Sequence, residues 1–274
     1  IVAEDAPHDL ARNVPVLMVR DSNEAILSMG RYARQRIMGK VLAVTGSAGK
    51  TTTVAMLAHA LSAWGPAEGT AHSANLPHGA SWNLASMSPE ASFLVLELAI
   101  GKMGISARIA QPHVAVFTNI FPAHLKEKST LRDIARTKSA IFSGMTRGGI
   151  AVLNRDMLEW DIIEAAASKR GLKILDYGRA PACHFQLLQY QPDKQEVVAR
   201  FGKREARYTI GAPGEHMALN SLAVLAAIKG LGLPLEPAIA ELQHFTALPG
   251  RGAEFKAVVE GKQLTVIDDA YNAN

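Results

Sequence analysis

The run Gly46-Ser47-Ala48-Gly49-Lys50-Thr51-Thr52 carries the residue types that hold a phosphate group. Small residues let backbone N–H groups close on an anion, and a helix that starts at such a turn adds partial positive charge. In that arrangement Lys50 reaches the β- and γ-phosphates of a nucleoside triphosphate, and the Thr51 hydroxyl is a magnesium ligand. The spacing is short. Two residues separate Gly46 from Gly49, and Val44 stands where the longer nucleoside-triphosphatase loop has its first glycine. The alternative is an accidental Gly/Ser turn; a strand before the run and a helix after it argue against that.

The other reactive side chains are ordinary when taken singly. Glu97 at the end of an apolar strand reads as a solvated terminus, His124 as a structural histidine, Lys138 on an amphipathic helix as an exposed cation. His8, His59, His72, His113, His184 and His244 read as structural or surface residues. Cys183, the one cysteine, reads as a small packing residue and excludes a disulfide framework within the chain.

The elements that must position these groups alternate between apolar runs and helical patterns, the sign of an α/β fold with a mostly parallel sheet. Val16 to Val19 reads as a strand, followed by a helix from Asp21 with Glu24 completing a capping box. Val41-Leu42-Ala43-Val44-Thr45 is a continuous apolar strand running into the glycine turn. Val54, Met56, Leu57, Leu61 and Trp64 mark the helix beyond it. Further buried strands are expected at 93–98, 114–118 and 150–153, with helices over 130–144 and 157–170. Residues 173–210 read as short strands of a small antiparallel β subdomain. Helices follow at 216–230 and 236–246, then a Pro249–Gly252 linker and strands at 254–259 and 263–268 about a Glu260-Gly261 turn. The fold class is therefore α/β: a P-loop sheet flanked by helices, a small antiparallel part, and the start of a further α/β domain.

Composition bounds the function. Hydrophobic residues make up 48% and charged residues 20% of 274, an ordinary globular balance. A net charge of +4 suits anionic small molecules, and no Lys/Arg block suggests a nucleic-acid partner. No apolar run is long enough for a membrane span. Cysteine usage points to a reducing, cytoplasmic setting, and a monomer is expected. The chain begins at Ile1 with no basic-then-apolar leader, so a piece of a longer protein is expected.

Several segments, in order and spacing, resemble the Mur ligase superfamily. Thr45-Gly46-Ser47-Ala48-Gly49-Lys50-Thr51-Thr52 is similar to its short phosphate loop, and Val95-Leu96-Glu97-Leu98 to the strand ending in its magnesium-binding glutamate. Thr118-Asn119-Ile120 through His124-Leu125 resembles its "TNI…HL" element, and Lys138 falls where the family carries a carbamylated lysine. Asn154-Arg155-Asp156, Gly214-Glu215-His216 with Asn220, and Pro249-Gly250-Arg251 resemble its nucleotide-contacting turn, helix start and linker. Asp268 to Asn274, and Pro-Ala-His-Leu at 122–125, look like the member that adds D-alanyl-D-alanine to UDP-N-acetylmuramoyl-tripeptide. The resemblance runs from about residue 14 to 274.

The resemblance implies an ATP- and Mg2+-dependent ligase in peptidoglycan precursor synthesis, forming an amide bond through an acyl phosphate. Lys50, Lys138 and His124 would be catalytic. Thr51, Glu97, His124 and a carbamylated Lys138 would serve metal ions. Gly46, Ser47, Ala48, Gly49, Lys50, Thr51, Thr52, Asn220, Arg251 and Asp269 would hold the nucleotide. It also implies three parts: 1–39 as the tail of a UDP-sugar domain, 40–248 as the central ATP-binding domain, and 249–274 as linker and start of a C-terminal domain. The partners implied are the UDP-linked muramoyl peptide and D-alanyl-D-alanine.

Three departures stand out. The substrate loop 74–84 keeps only its first asparagine, Asn75, and leaves the role of His78 open; residues 99–105 lack the family's Asn-His pair; and Met217 replaces an asparagine. Two alternatives therefore stay open: a Mur-like amino-acid ligase of the cyanophycin-synthetase type with another carboxylate substrate, and a non-catalytic nucleotide-binding module.

Overall fold

The computed structural model describes residues 2–5, 14–70, 74–122, 130–259 and 261–271. In chain order the strands are β1 (Val2–Ala3), β2 (Leu17–Met18), β3 (Lys40–Thr45), β4 (Ala67–Gly69), β5 (Phe93–Glu97), β6 (Val114–Phe117), β7 (Ile150–Asn154), β8 (Lys173–Gly178), β9 (Phe185–Gln191), β10 (Glu196–Phe201), β11 (Arg204–Thr209), β12 (Ala253–Val259) and β13 (Lys262–Asp268). The helices are α1 (Ser22–Arg36), α2 (Lys50–Leu61), α3 (Pro77–Ser86), α4 (Met103–Ala110), α5 (Leu131–Ser139), α6 (Trp160–Lys169), α7 (Glu215–Gly230) and α8 (Glu236–His244).

Nine of these strands make one sheet in the order β11-β10-β9-β8-β7-β6-β3-β5-β4. From β4 to β9 every neighbour pair is parallel; only β9-β10 and β10-β11 are antiparallel. Alternate side chains explain the layers. Leu42 and Val44 of β3 face α2, α7 and α8, while Val41 and Ala43 face the side carrying α3 to α6. Both faces are covered, so the central strands are apolar throughout, as a buried parallel sheet requires.

The expected α/β architecture is present, with two differences. The antiparallel strands at 185–209 extend the main sheet through the parallel β8-β9 pair. Residues 173–178, read as part of the antiparallel subdomain, are instead a parallel strand beside β7. The second difference lies in 74–84, read as a loop. Residues 77–86 form α3, with Pro77 at its first turn and Asn83 Nδ2 donating to Ala74 O and Gly79 O. Alpha-helical periodicity was masked there by Pro, Gly and Ser.

Smaller outcomes follow local chemistry. Asp21 caps α1 through the Glu24 amide at 3.0 Å, but the Glu24 carboxylate pairs with Arg31, so the box is half made. The helix expected over 130–144 is α5 followed by a 3-10 turn, and Thr130 with Asp133 forms a full capping box at its start. Strands β12 and β13 pair as a separate antiparallel hairpin.

Candidate functional site

The chain runs to one side of β3 for β4 and β5 and to the other for β6 to β8, so the strand order reverses beside β3. In open α/β sheets ligands bind outside the carboxyl ends of the strands at such a point. A cleft of about 1050 Å³ opens there, lined by 47–52, Glu97, Thr118, Asn119, Asn154 and Asn220, and on its far side by Arg251 and Asp269.

The glycine turn leaves β3 and caps α2. Gly46 has φ +148°, and a Cβ there would lie 1.9 Å from Thr118 Oγ1, so the turn admits no side chain at that point. The Ser47 amide donates to Asn119 O at 3.0 Å and the Ala48 amide to Asn119 Oδ1 at 2.8 Å. The Thr118 hydroxyl donates to Ala48 O at 2.6 Å. Thr118-Asn119 after β6 therefore moulds the turn after β3, and the adjacent strands set its height. Lys50 opens α2, whose first-turn N–H groups have no intrahelical partner. Asn220 of α7 approaches from the neighbouring helix of the same layer; a Cβ on Gly49 would sit 3.4 Å from its Oδ1.

Glu97 ends β5 opposite Val44. It is buried, with both oxygens engaged: Oε2 accepts from the Thr51 hydroxyl at 2.6 Å and Oε1 from Asn75 Nδ2 at 2.8 Å. The Glu97 amide donates to Thr70 Oγ1 at 2.6 Å. The solvated strand end that composition alone suggests is thus excluded. Thr51 and Glu97 put two hard oxygens at one point beside the phosphate turn, a donor set that suits magnesium.

Cations crowd this carboxylate. Lys138 of α5 is buried beneath the turn and its Nζ donates to Gly46 O at 2.8 Å. Burial first, and then the positive charge of Lys50, pulls its pKa down to about 8, against an opposing pull from Glu97. Burial likewise lowers the Lys50 pKa; Glu97 opposes this and Arg251 adds to it. Lys50, Lys138 and Arg251 outnumber the carboxylates Glu97 and Asp269 around the cleft, so it is electrostatically ready for an anion.

The structure brings Gly46 to Thr52, Glu97, Lys138, Asn220, Arg251 and Asp269 to one place. His124 lies outside the described residues. In the Asn154-Arg155-Asp156 turn only Asn154 lines the cleft, donating to Thr118 O at 2.7 Å. Asp156 instead accepts from the Arg179 and Ala180 amides, holding the turn after β8. Sequence reasoning passed over Tyr177, whose buried hydroxyl donates to Phe117 O and Thr118 O, both at 3.2 Å. It also passed over Thr70, and gave Tyr271, within the Asp268–Asn274 segment, no role of its own. A lone tyrosine in an apolar strand gives no sign of such a role. The departures from the family line the same cleft: Leu76, Ile100 and Gly101 stand beside Asn75. Met217 is buried in the core on the α2 and α7 side.

Comparison with known proteins agrees with this geometry. The family model described as the Mur ligase middle domain matches residues 44–228. The chain is 30% identical over 268 residues to the UDP-N-acetylmuramoyl-tripeptide–D-alanyl-D-alanine ligase of Escherichia coli (strain K12), covering 96% of this chain and 58% of that relative. It therefore spans less than two thirds of the curated relatives it matches. Among solved structures, MurF from Acinetobacter baumannii superposes with a TM-score of 0.87 at 28% identity, covering 100% of this chain and 59% of that one. MurF ligase from Thermotoga maritima in complex with ADP superposes with a TM-score of 0.80 at 26% identity, over 99% of this chain and 62% of that one. The matched residues include the phosphate turn and Glu97, and the chain belongs to the Mur ligase family.

Proposed function

We propose that the protein is an ATP-dependent amide-bond ligase that joins D-alanyl-D-alanine to UDP-N-acetylmuramoyl-tripeptide. The observation that carries the reading is the meeting of Lys50, the Thr51–Glu97 pair and Lys138 at one phosphate turn. The named activity of the relatives supplies the substrates.

The reaction has two steps. A carboxylate oxygen of the tripeptide attacks the γ-phosphorus of ATP, the bond to ADP breaks, and an acyl phosphate forms. The amine of D-alanyl-D-alanine then attacks the acyl carbon, releasing inorganic phosphate and a proton. Positioning and charge stabilisation are the protein's task. The N-terminus of α2 and the Lys50 ammonium hold the phosphate oxygens. Asn220 and Arg251 close on the nucleotide from α7 and the linker, and Asp269 from the segment after β13. Thr51 and Glu97 would hold magnesium, which supplies positive charge to the transferring phosphoryl group when bound. Asn75 keeps Glu97 oriented.

Lys138 has a separate role. With a pKa of about 8, about a tenth of its amine is neutral at pH 7, against about three parts in ten thousand at its ordinary value. The neutral amine can attack carbon dioxide; an N–C bond forms, a proton leaves, and an anionic carbamate replaces a cation beside Lys50. That carbamate would serve as a ligand at the same cluster.

We read 1–39, 40–248 and 249–274 as the tail of a UDP-sugar domain, the central domain and the start of a C-terminal domain, in a monomer working in the cytoplasm. Leu76 and Ile100 in the cleft favour, as a second reading, another carboxylate and amine pair on the same ATP chemistry. Supplying both substrates, each alone, or neither separates the two. Phosphate release that needs both, with the pentapeptide as product, supports the leading reading; ATP binding without that product overturns the substrate assignment.

A further inference from the structure

The cleft's far wall contains one contact that the nucleotide-binding roles above leave unexplained. The Arg251 guanidinium lies over the Tyr271 ring, 4.1 Å from its centroid, and both side chains line the cleft. These residues come from opposite ends of the β12–β13 hairpin. The backbone ties the two ends together. The Tyr271 amide donates to Gly250 O at 3.1 Å, the Gly252 amide to Asp268 O at 2.8 Å, and the Gly250 amide to Asp268 Oδ2 at 2.8 Å.

Gly250 is part of the same arrangement. Its φ is +70°, and a Cβ there would sit 2.8 Å from Tyr271 Cβ. The glycine of the linker is therefore the residue that lets Tyr271 come close enough to stack beneath its neighbour. Arg251 also acts on the phosphate end of the cleft, since its charge is felt by Lys50.

We propose that Tyr271 is a positioning residue for Arg251: the ring and the Gly250 turn clasp the guanidinium so that it faces the phosphates of a bound nucleoside triphosphate. A long arginine on a linker loses rotamer freedom when it binds an anion. Stacking on a ring fixes the guanidinium plane beforehand and leaves its N–H edges free, as a cation–π contact does. On this reading Tyr271 acts through Arg251. The inference rests on the nucleotide site proposed above and adds to it the residue that orients one of its cations.

The test is ATP and AMP affinity, measured by calorimetry on the whole protein with magnesium, for the parent, Tyr271→Phe, Tyr271→Leu, Arg251→Ala and the Arg251→Ala/Tyr271→Leu double variant. Tyr271→Leu is expected to weaken ATP about three- to fivefold, the worth of an exposed cation–π contact. Tyr271→Phe keeps the ring and should stay within about twofold of the parent. AMP affinity should not change, and Tyr271→Leu should add nothing once Arg251 is gone. Additive losses in the double variant, or equal losses for ATP and AMP, would overturn the clasp, because Tyr271 would then act independently of Arg251. Unchanged ATP affinity in Tyr271→Leu would overturn it as well. A parent that binds no ATP would overturn the nucleotide site and this inference together, whereas a binding parent with any of the other failures overturns the clasp alone.

Discussion

The Thr51 hydroxyl lies 2.6 Å from Glu97 Oε2 and donates to it, joining the first turn of α2 to the end of β5. The two residues are far apart in the chain and meet because β3 and β5 are in register at Val44 and Glu97. A proton donor and a buried carboxylate at that distance form a stable pair without a ligand, and the same two oxygens can turn to a cation. Replacement of Glu97 by Gln removes the anion and keeps the shape. Magnesium-dependent ATP turnover should fall by more than about a hundredfold, beyond the ten- to hundredfold typical of a residue that only orients a ligand. Steady-state kinetics across a magnesium titration would check it.

Asn75 is such an orienting residue, holding Glu97 Oε1 at 2.8 Å. Asn75→Ala should raise the magnesium concentration needed for half-maximal activity by about ten- to a hundredfold. Saturating magnesium should restore most of the rate; a deficit that persists at saturation would mean Asn75 acts elsewhere.

The buried Lys138 makes stability depend on pH. Its folded pKa of about 8 lies below the unfolded value of 10.5. Below about pH 8 both states are protonated and the burial penalty is fully present. Between about pH 8 and 10.5 the unfolded state holds more protons, so stability rises with pH, by about 3 kcal/mol in total. Denaturant unfolding in carbon-dioxide-free buffer should show this rise in the parent and lack it in Lys138→Met.

His113 gives a slope of the same sign at acid pH. Its Nδ1 accepts the Val41 amide at 3.0 Å, and burial, then Arg34 and Lys40, hold its pKa below 6.5. The unfolded chain therefore binds the proton first, and stability falls as pH drops through 6.5 and below. A His113→Gln variant, followed by unfolding at pH 5 and 7.5, should lose less stability than the parent over that interval.

Much of this site was legible in the sequence because its chemistry is local. A strand, a small-residue turn and Lys50-Thr51 are contiguous, so hydrophobic periodicity and residue type suffice to place them. Glu97, Lys138, Asn220 and Arg251 were reached only through resemblance. Taken singly, Glu97 reads as a solvated terminus and Lys138 as an exposed cation, and burial beside the turn is a property of strand order. The edge of the sheet was harder. Nothing in 173–178 separates a parallel strand from an antiparallel one, because direction is set by the helices packed on it. Pro77 and Gly79 hid α3, and the role of Tyr271 depends on a glycine twenty-one residues earlier having no side chain.

Gly46 offers a test of the turn itself. With φ +148° and a Cβ that would fall 1.9 Å from Thr118 Oγ1, Gly46→Ala must displace the Thr118 contact that moulds the turn. A destabilisation of about 1–3 kcal/mol is expected from the backbone alone. ATP affinity, read by calorimetry on the folded fraction, should fall as well.

The central claim is that the protein activates a carboxylate by phosphorylation. The tripeptide substrate labelled with oxygen-18 in its reacting carboxylate, incubated with the protein, ATP, magnesium and D-alanyl-D-alanine, tests this directly by mass spectrometry of the phosphate released. One labelled oxygen is expected in each inorganic phosphate, carried over when the amine displaces it. Unlabelled phosphate formed together with the amide product would contradict it.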